Sequence, residues 1–112
     1  MKIYHNPRCR KSRETLALIK EKGTEPEIIE YLTTPPTTAE LTQILDMLGI
    51  PAEKLLRKGE AIFKENFKGK TFSNEEWIKI MVENPKLIER PIVVEGNKAI
   101  IGRPPENVLE LF

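Results

Sequence analysis

The chain has 112 residues, 39% of them hydrophobic, and 18 basic against 17 acidic side chains give a net charge of +1. That is one domain by length, with an ordinary soluble balance and enough chain to bury one core. The near-zero charge argues against a general nucleic-acid binder, leaving room for a local basic patch, and no apolar run reaches the length that spans a bilayer.

Met1–Tyr4 reads as a short first strand, and Met1 to His5 carries no signal-peptide apolar region. His5-Asn6-Pro7-Arg8-Cys9-Arg10-Lys11-Ser12-Arg13 follows. From Ser12 to Lys22 the spacing is helical, with Leu16 and Ile19 on the inner face and Gly23 just past the end. Cys9 therefore lies where a strand turns into a helix, with Arg8, Arg10, Lys11 and Arg13 within four residues. A free thiol titrates near about 8.5, so only a few per cent is thiolate at neutral pH. Unpaired backbone N–H groups at a helix start, and nearby cations, favour the charged nucleophile. His5 adds a proton acceptor or cation at short range. The same arrangement binds oxyanions, so one loop could activate a thiol and hold an anion beside it. Against this stands the plain reading of a lone cysteine as a small buried hydrophobe and of a basic run as a solvated face. Cys9 has no apolar neighbours and lies in a turn beside Pro7, which speaks against burial.

Cys9 and His5 are the only residues of their types, which excludes an intramolecular disulfide and zinc-type ligand sets. A free thiol without an export signal fits the cytoplasm.

Glu27–Leu32 is a weak second strand between Pro26 and Pro35. Thr37 and Glu40 form a capping box for a helix with Leu41, Ile44, Leu45 and Leu48 at helical spacing, ended by Gly49. Residues 52–58 read as a short helix, and 59–71 as an irregular stretch anchored by Phe63 and Phe67. Ser73 and Glu76 form a second capping box, with Trp77, Ile80 and Met81 as the apolar face and Asn84-Pro85 as the stop. Ile92–Val94 and Ala99–Ile101 flank Gly96-Asn97, a hairpin signal. A turn through Pro105 leads into a last helix, Glu106 to Phe112. The order predicts a single α/β domain, residues 1–112, with the middle helices (about 37–88) as an insertion. Arg57, Arg90 and Arg103 each sit at an element boundary, where loops gather. Guanidinium groups can grip tetrahedral oxyanions in a bidentate way that lysine cannot.

His5-Asn6-Pro7-x-Cys9-x-x-Ser12-Arg13-x-Thr15-Leu16 resembles the active-site loop of the glutaredoxin-coupled arsenate reductases, the ArsC family. The resemblance continues through Gly23–Pro26, Tyr31–Thr37, Leu55–Lys58, Arg90–Val94 and Arg103-Pro104, covering essentially the whole chain in order. It implies a thioredoxin-like fold with a helical insertion, Cys9 as the catalytic thiol, and Arg57, Arg90 and Arg103 as oxyanion ligands. It implies that His5 helps lower the thiol pKa, that Ser12 belongs to the catalytic loop, and that Pro91 is the cis proline near the site. The implied partners are arsenate, glutathione as co-substrate and glutaredoxin, in arsenic detoxification. No bound cofactor, metal, nucleic acid or membrane is implied, and a monomer is expected. The best-characterised members carry Gly-Thr where this chain has Arg10-Lys11, as in a less-characterised branch of ArsC-like proteins. Two rival readings share the fold. One is a thiol–disulfide or deglutathionylating protein without arsenate activity. The other is an RNA polymerase-binding regulator of the Spx type, against which Ser12 counts, since such regulators often carry Cys-x-x-Cys.

Overall fold

Lys2–His5 forms strand β1, and its neighbours follow from its side chains. In the computed structural model, which describes residues 1–112, Ile3 stands opposite Ile28 on one side and Val93 on the other. β1 runs parallel to β2 (Glu27–Glu30) and antiparallel to β3 (Ile92–Glu95), which turns at Gly96-Asn97 into β4 (Lys98–Ile101). The sheet order is β2-β1-β3-β4. A parallel pair needs a crossover, and helix α1 (Arg10–Glu21) supplies it. Gly23, at φ +80, takes the left-handed turn that lets the chain leave α1.

These elements, Met1–Thr34 with Arg90–Phe112, form one compact unit. Its core joins Ile3 and Val93 of the sheet to Ile19 of α1 and Val108 of the C-terminal segment. That segment, Pro105–Leu111, is a 3-10 helix rather than an α-helix, and it packs on α1. β2 stops at Glu30, two residues short of the predicted strand end, because the Thr33 and Thr34 N–H groups both turn back to the Glu30 carbonyl.

Pro35–Glu89 forms a second compact unit. Both capping boxes are present: Thr37–Glu40 opens α2 (Thr38–Leu48) and Ser73–Glu76 opens a later helix, Asn74–Glu83. Gly49 closes α2 at φ +68. Ala52–Leu55 is one turn of 3-10 helix, shorter than the expected 52–58. The stretch read as irregular contains a helix, α3 (Ala61–Asn66), which buries Phe63. The next helix, Asn74–Glu83, is therefore α4; it buries Trp77, Ile78 and Met81, with Ile78 taking the inward place expected of Ile80. No helix is long and apolar enough to cross a membrane.

One glycine in the first unit is required by space, not by φ. The Gly102 N–H donates to the Pro91 carbonyl at 2.9 Å, just past β4. A Cβ there would run into Thr15 Oγ1 and come within 2.8 Å of Pro91 Cγ. Thr15 is held in place, because its hydroxyl donates to the Lys11 carbonyl at 2.8 Å. The end of β4 thus lies directly against α1 and Pro91. Gly102→Ala should lower stability by about 1–3 kcal/mol, the usual overpacking cost, since neither neighbour is a flexible side-chain end. Urea unfolding measures this; a midpoint equal to wild type would show that the contact relaxes freely.

Candidate active site

The turn between β1 and α1 is built by its own backbone. The Cys9 N–H donates to the Asn6 carbonyl at 3.0 Å, and the Arg8 N–H donates to Asn6 Oδ1 at 3.0 Å. Cys9 is the N-cap of α1, in extended conformation, and its carbonyl accepts the first helical bond from the Arg13 N–H at 3.0 Å. No ordinary side-chain cap bond forms there, so the sulfur occupies the position facing the unsatisfied N–H groups of the first turn.

Contrary to expectation, Cys9 is buried, with 8% of its surface exposed. Burial pushes its pKa up, yet the net shift is downward. The Ser12 N–H acts first against burial, then the hydrogen bond and the charge of Arg90, then the Lys11 N–H. Arg103 approaches from the end of β4, with Nη1 at 3.9 Å from the sulfur and donating to the Arg90 carbonyl at 3.2 Å. The structure therefore brings Arg90 and Arg103 to Cys9. The peptides Arg90–Pro91 and Arg103–Pro104 are both cis. The first matches the position anticipated at Pro91; nothing in the sequence reading signalled the second.

The neighbouring cations behave differently from the sequence reading. The Arg10 side chain is 84% exposed and pairs with Glu14 at 2.8 Å. Arg13 donates to the Pro7 carbonyl at 3.0 Å, and Arg8 and Lys11 are exposed. What this run gives the sulfur is backbone N–H, not side-chain charge.

His5 is buried, and Nδ1 lies 2.6 Å from Ser12 Oγ, which also accepts the Asn6 N–H at 3.0 Å. Burial lowers the His5 pKa; Glu30 opposes this, while Arg13 and Lys20 add to it. Burial thus favours the neutral ring, which supports the loop through Ser12. A cleft of about 210 Å³ opens on this side of the loop, lined by His5, Arg8, Glu30 and Leu32 among others. Arg57 belongs to the helical unit, where its guanidinium lies 3.7 Å from Glu60 and 3.8 Å from Glu89 and its N–H donates to the Leu87 carbonyl. No group of three or more His, Cys, Asp or Glu could hold a metal.

Sequence reasoning placed Thr15 in the active-site loop but missed Gly102 and the close packing of the two, where the chain turns from β4 towards Arg103. The glycine directly after a β-branched run was the available signal.

A four-stranded α/β sheet with a capping thiol at the β1–α1 junction and a cis proline opening the hairpin defines a thioredoxin-like thiol protein. Comparison with known proteins makes this specific. A family profile described as "ArsC family" matches residues 4–111, and the chain belongs to that family. It is 47% identical to an arsenate reductase of Haemophilus influenzae over 98% of this chain and 97% of that one. It is 56% identical to the uncharacterized protein YfgD of Escherichia coli K12, covering 99% and 95%. A solved arsenate reductase from Vibrio cholerae superimposes with a TM-score of 0.94 at 46% identity, covering 99% and 96%.

The lowered pKa of Cys9 has a signed consequence. Alkylation rate against pH should give a midpoint below the ordinary thiol value of about 8.5, and Arg90→Ala should raise it. Because the folded pKa lies below the unfolded one, the unfolded chain binds more protons between the two. Stability relative to Cys9→Ser should therefore rise with pH across that window and be lost as pH falls through the folded value. A midpoint at or above the free-thiol value would contradict the site's electrostatics.

Proposed function

We propose that this protein is an arsenate reductase whose chemistry begins at Cys9. The observation that carries the reading is a thiol of lowered pKa held between the start of α1 and the Arg90 guanidinium, in a chain of the ArsC family. The named arsenate reductases among its relatives and structural neighbours support the same substrate.

The Cys9 thiolate attacks arsenic in bound arsenate, forming an S–As bond as one As–O bond breaks and its oxygen leaves as hydroxide, which takes a proton from solvent to become water. Arg90 and Arg103 neutralise the oxyanion and stabilise charge as the adduct forms. We assign Arg57 the third oxyanion contact on the family resemblance alone. Ser12 holds the loop through Asn6 and His5, and the neutral His5 ring fixes the Ser12 hydroxyl. The chain has one cysteine, so a second thiol must come from outside. We propose glutathione. Its sulfur and that of Cys9 together give up two electrons, arsenic(V) leaves as arsenite, and Cys9 is left in a mixed disulfide. Glutaredoxin then reduces that disulfide. A reducing compartment keeps a free catalytic thiol of this kind reduced, which supports action in the cytoplasm; we also propose that the protein acts as a monomer.

Turnover in a coupled arsenate assay with glutathione and glutaredoxin tests this. Cys9→Ser should abolish activity. Arg90→Ala should lower turnover about 100- to 1000-fold, the usual loss for one pre-placed donor at developing charge. Arg90→Lys should recover only part, because an ammonium lacks the bidentate fork. Arg57→Ala and Arg103→Ala provide the comparison, with circular dichroism as the folding check. Near-wild-type turnover in Arg90→Ala, or full rescue by lysine, would overturn the assignment.

A further inference from the structure

The cleft of about 210 Å³ beside the Cys9 loop contains one buried polar group, the His5 ring. His5 is only 6% exposed, yet its two nitrogens are in different situations. Nδ1 lies 2.6 Å from the Ser12 hydroxyl. That hydroxyl is fully buried and already accepts the Asn6 N–H at 3.0 Å, so its own proton goes to Nδ1. The proton of the neutral ring therefore sits on Nε2. No protein group accepts it, and Nε2 keeps its access through the cleft that the ring lines. A donor this enclosed gains most from an acceptor that fits the cleft.

The charges around that donor are of both signs. Arg8 and Glu30 line the cleft, and neither enters an ion pair. The Glu30 carboxylate is near enough to the His5 ring to raise its titration. A simple anion would suit Arg8 and the Nε2–H but be repelled by Glu30; a simple cation would meet the reverse. A group carrying both a carboxylate and an ammonium satisfies all three. Pro7 and Leu32 give apolar wall to the carbon chain between its charges. The volume is below that of a drug-sized site, so the cleft holds one end of a small molecule. Arg8 directly precedes Cys9, with Cα atoms about 3.8 Å apart, so the other end lies next to the catalytic residue.

We propose that this cleft seats the zwitterionic end of the thiol co-substrate, the γ-glutamyl group of glutathione, its carboxylate on His5 Nε2–H and Arg8 and its ammonium on Glu30. The inference rests on the reading of Cys9 as a thiol whose adduct is resolved from outside. His5 is the only histidine, so its ring signals in NMR report this cleft alone. The reduced full chain is titrated, without arsenate, with S-methylglutathione, whose blocked sulfur cannot react. It should give a saturable His5 shift. S-methyl-γ-glutamylcysteine should bind within about three-fold of it, and S-methylcysteinylglycine and free glutamine at least about ten-fold more weakly. Arg8→Gln and Glu30→Gln should each weaken S-methylglutathione about five-fold or more. Lys22→Gln with Glu110→Gln, two exposed charges of the same unit outside the cleft, should leave it unchanged. Circular dichroism checks that all variants fold. Absence of a saturable shift, cysteinylglycine or glutamine equal to glutathione in their tested forms, or equal losses in the control variant would each overturn the proposal. Binding at His5 without arsenate turnover would refute the substrate reading and leave this site standing. Arsenate turnover with glutathione but no His5 response would do the reverse.

Discussion

The lowered pKa of a buried thiol is the constraint around which the first unit is arranged. Burial alone would keep Cys9 protonated, so the groups that reverse it must be close, fixed and numerous. Backbone N–H groups meet that need well: the Ser12 and Lys11 amides are oriented by the helix whether or not the thiol is charged. Arg90 adds a full charge from a different part of the chain. The balance therefore depends on local helix geometry and on the docking of the hairpin. A change in either moves the thiol pKa without touching the sulfur.

That docking explains the close packing around Gly102. Arg103 follows Gly102 directly, so its path to the sulfur starts where β4 lies against Thr15 and Pro91. The bond from Arg103 Nη1 to the Arg90 carbonyl then ties the two arginine-bearing segments together. A side chain at residue 102 would push this corner away from α1. The small size of one residue, at a φ any residue could adopt, is what brings the second guanidinium within 3.9 Å of the thiol.

Features encoded in a few adjacent residues were legible in the sequence. Both capping boxes, the Gly96-Asn97 hairpin and the placement of Cys9 at a helix start depend on local spacing, and all are present. Features that depend on distant partners were not. α3 has only Phe63 as a buried residue, too little periodicity to register. The exchange of Ile78 for Ile80 reflects the face that α4 turns to its neighbours, which a short apolar pattern leaves open by one position. Cys9 looked exposed because its sequence neighbours are charged. Its spatial neighbours are Arg90 and Arg103, some eighty to ninety-four residues away.

The same distinction settles what Arg10-Lys11 does at the mouth of the site. Judged as side chains, these residues add two charges next to the thiol. The Arg10 guanidinium, however, is turned to Glu14 on the exposed face of α1, one helical turn on, and its charge is matched there. Lys11 reaches the sulfur only through its N–H, which every residue except proline supplies. The field at Cys9 is thus set by backbone and by Arg90, and the side chains at residues 10 and 11 can vary without redrawing it. Their influence falls on what approaches the loop from solvent, where an exposed lysine acts on anions over a distance of about a Debye length.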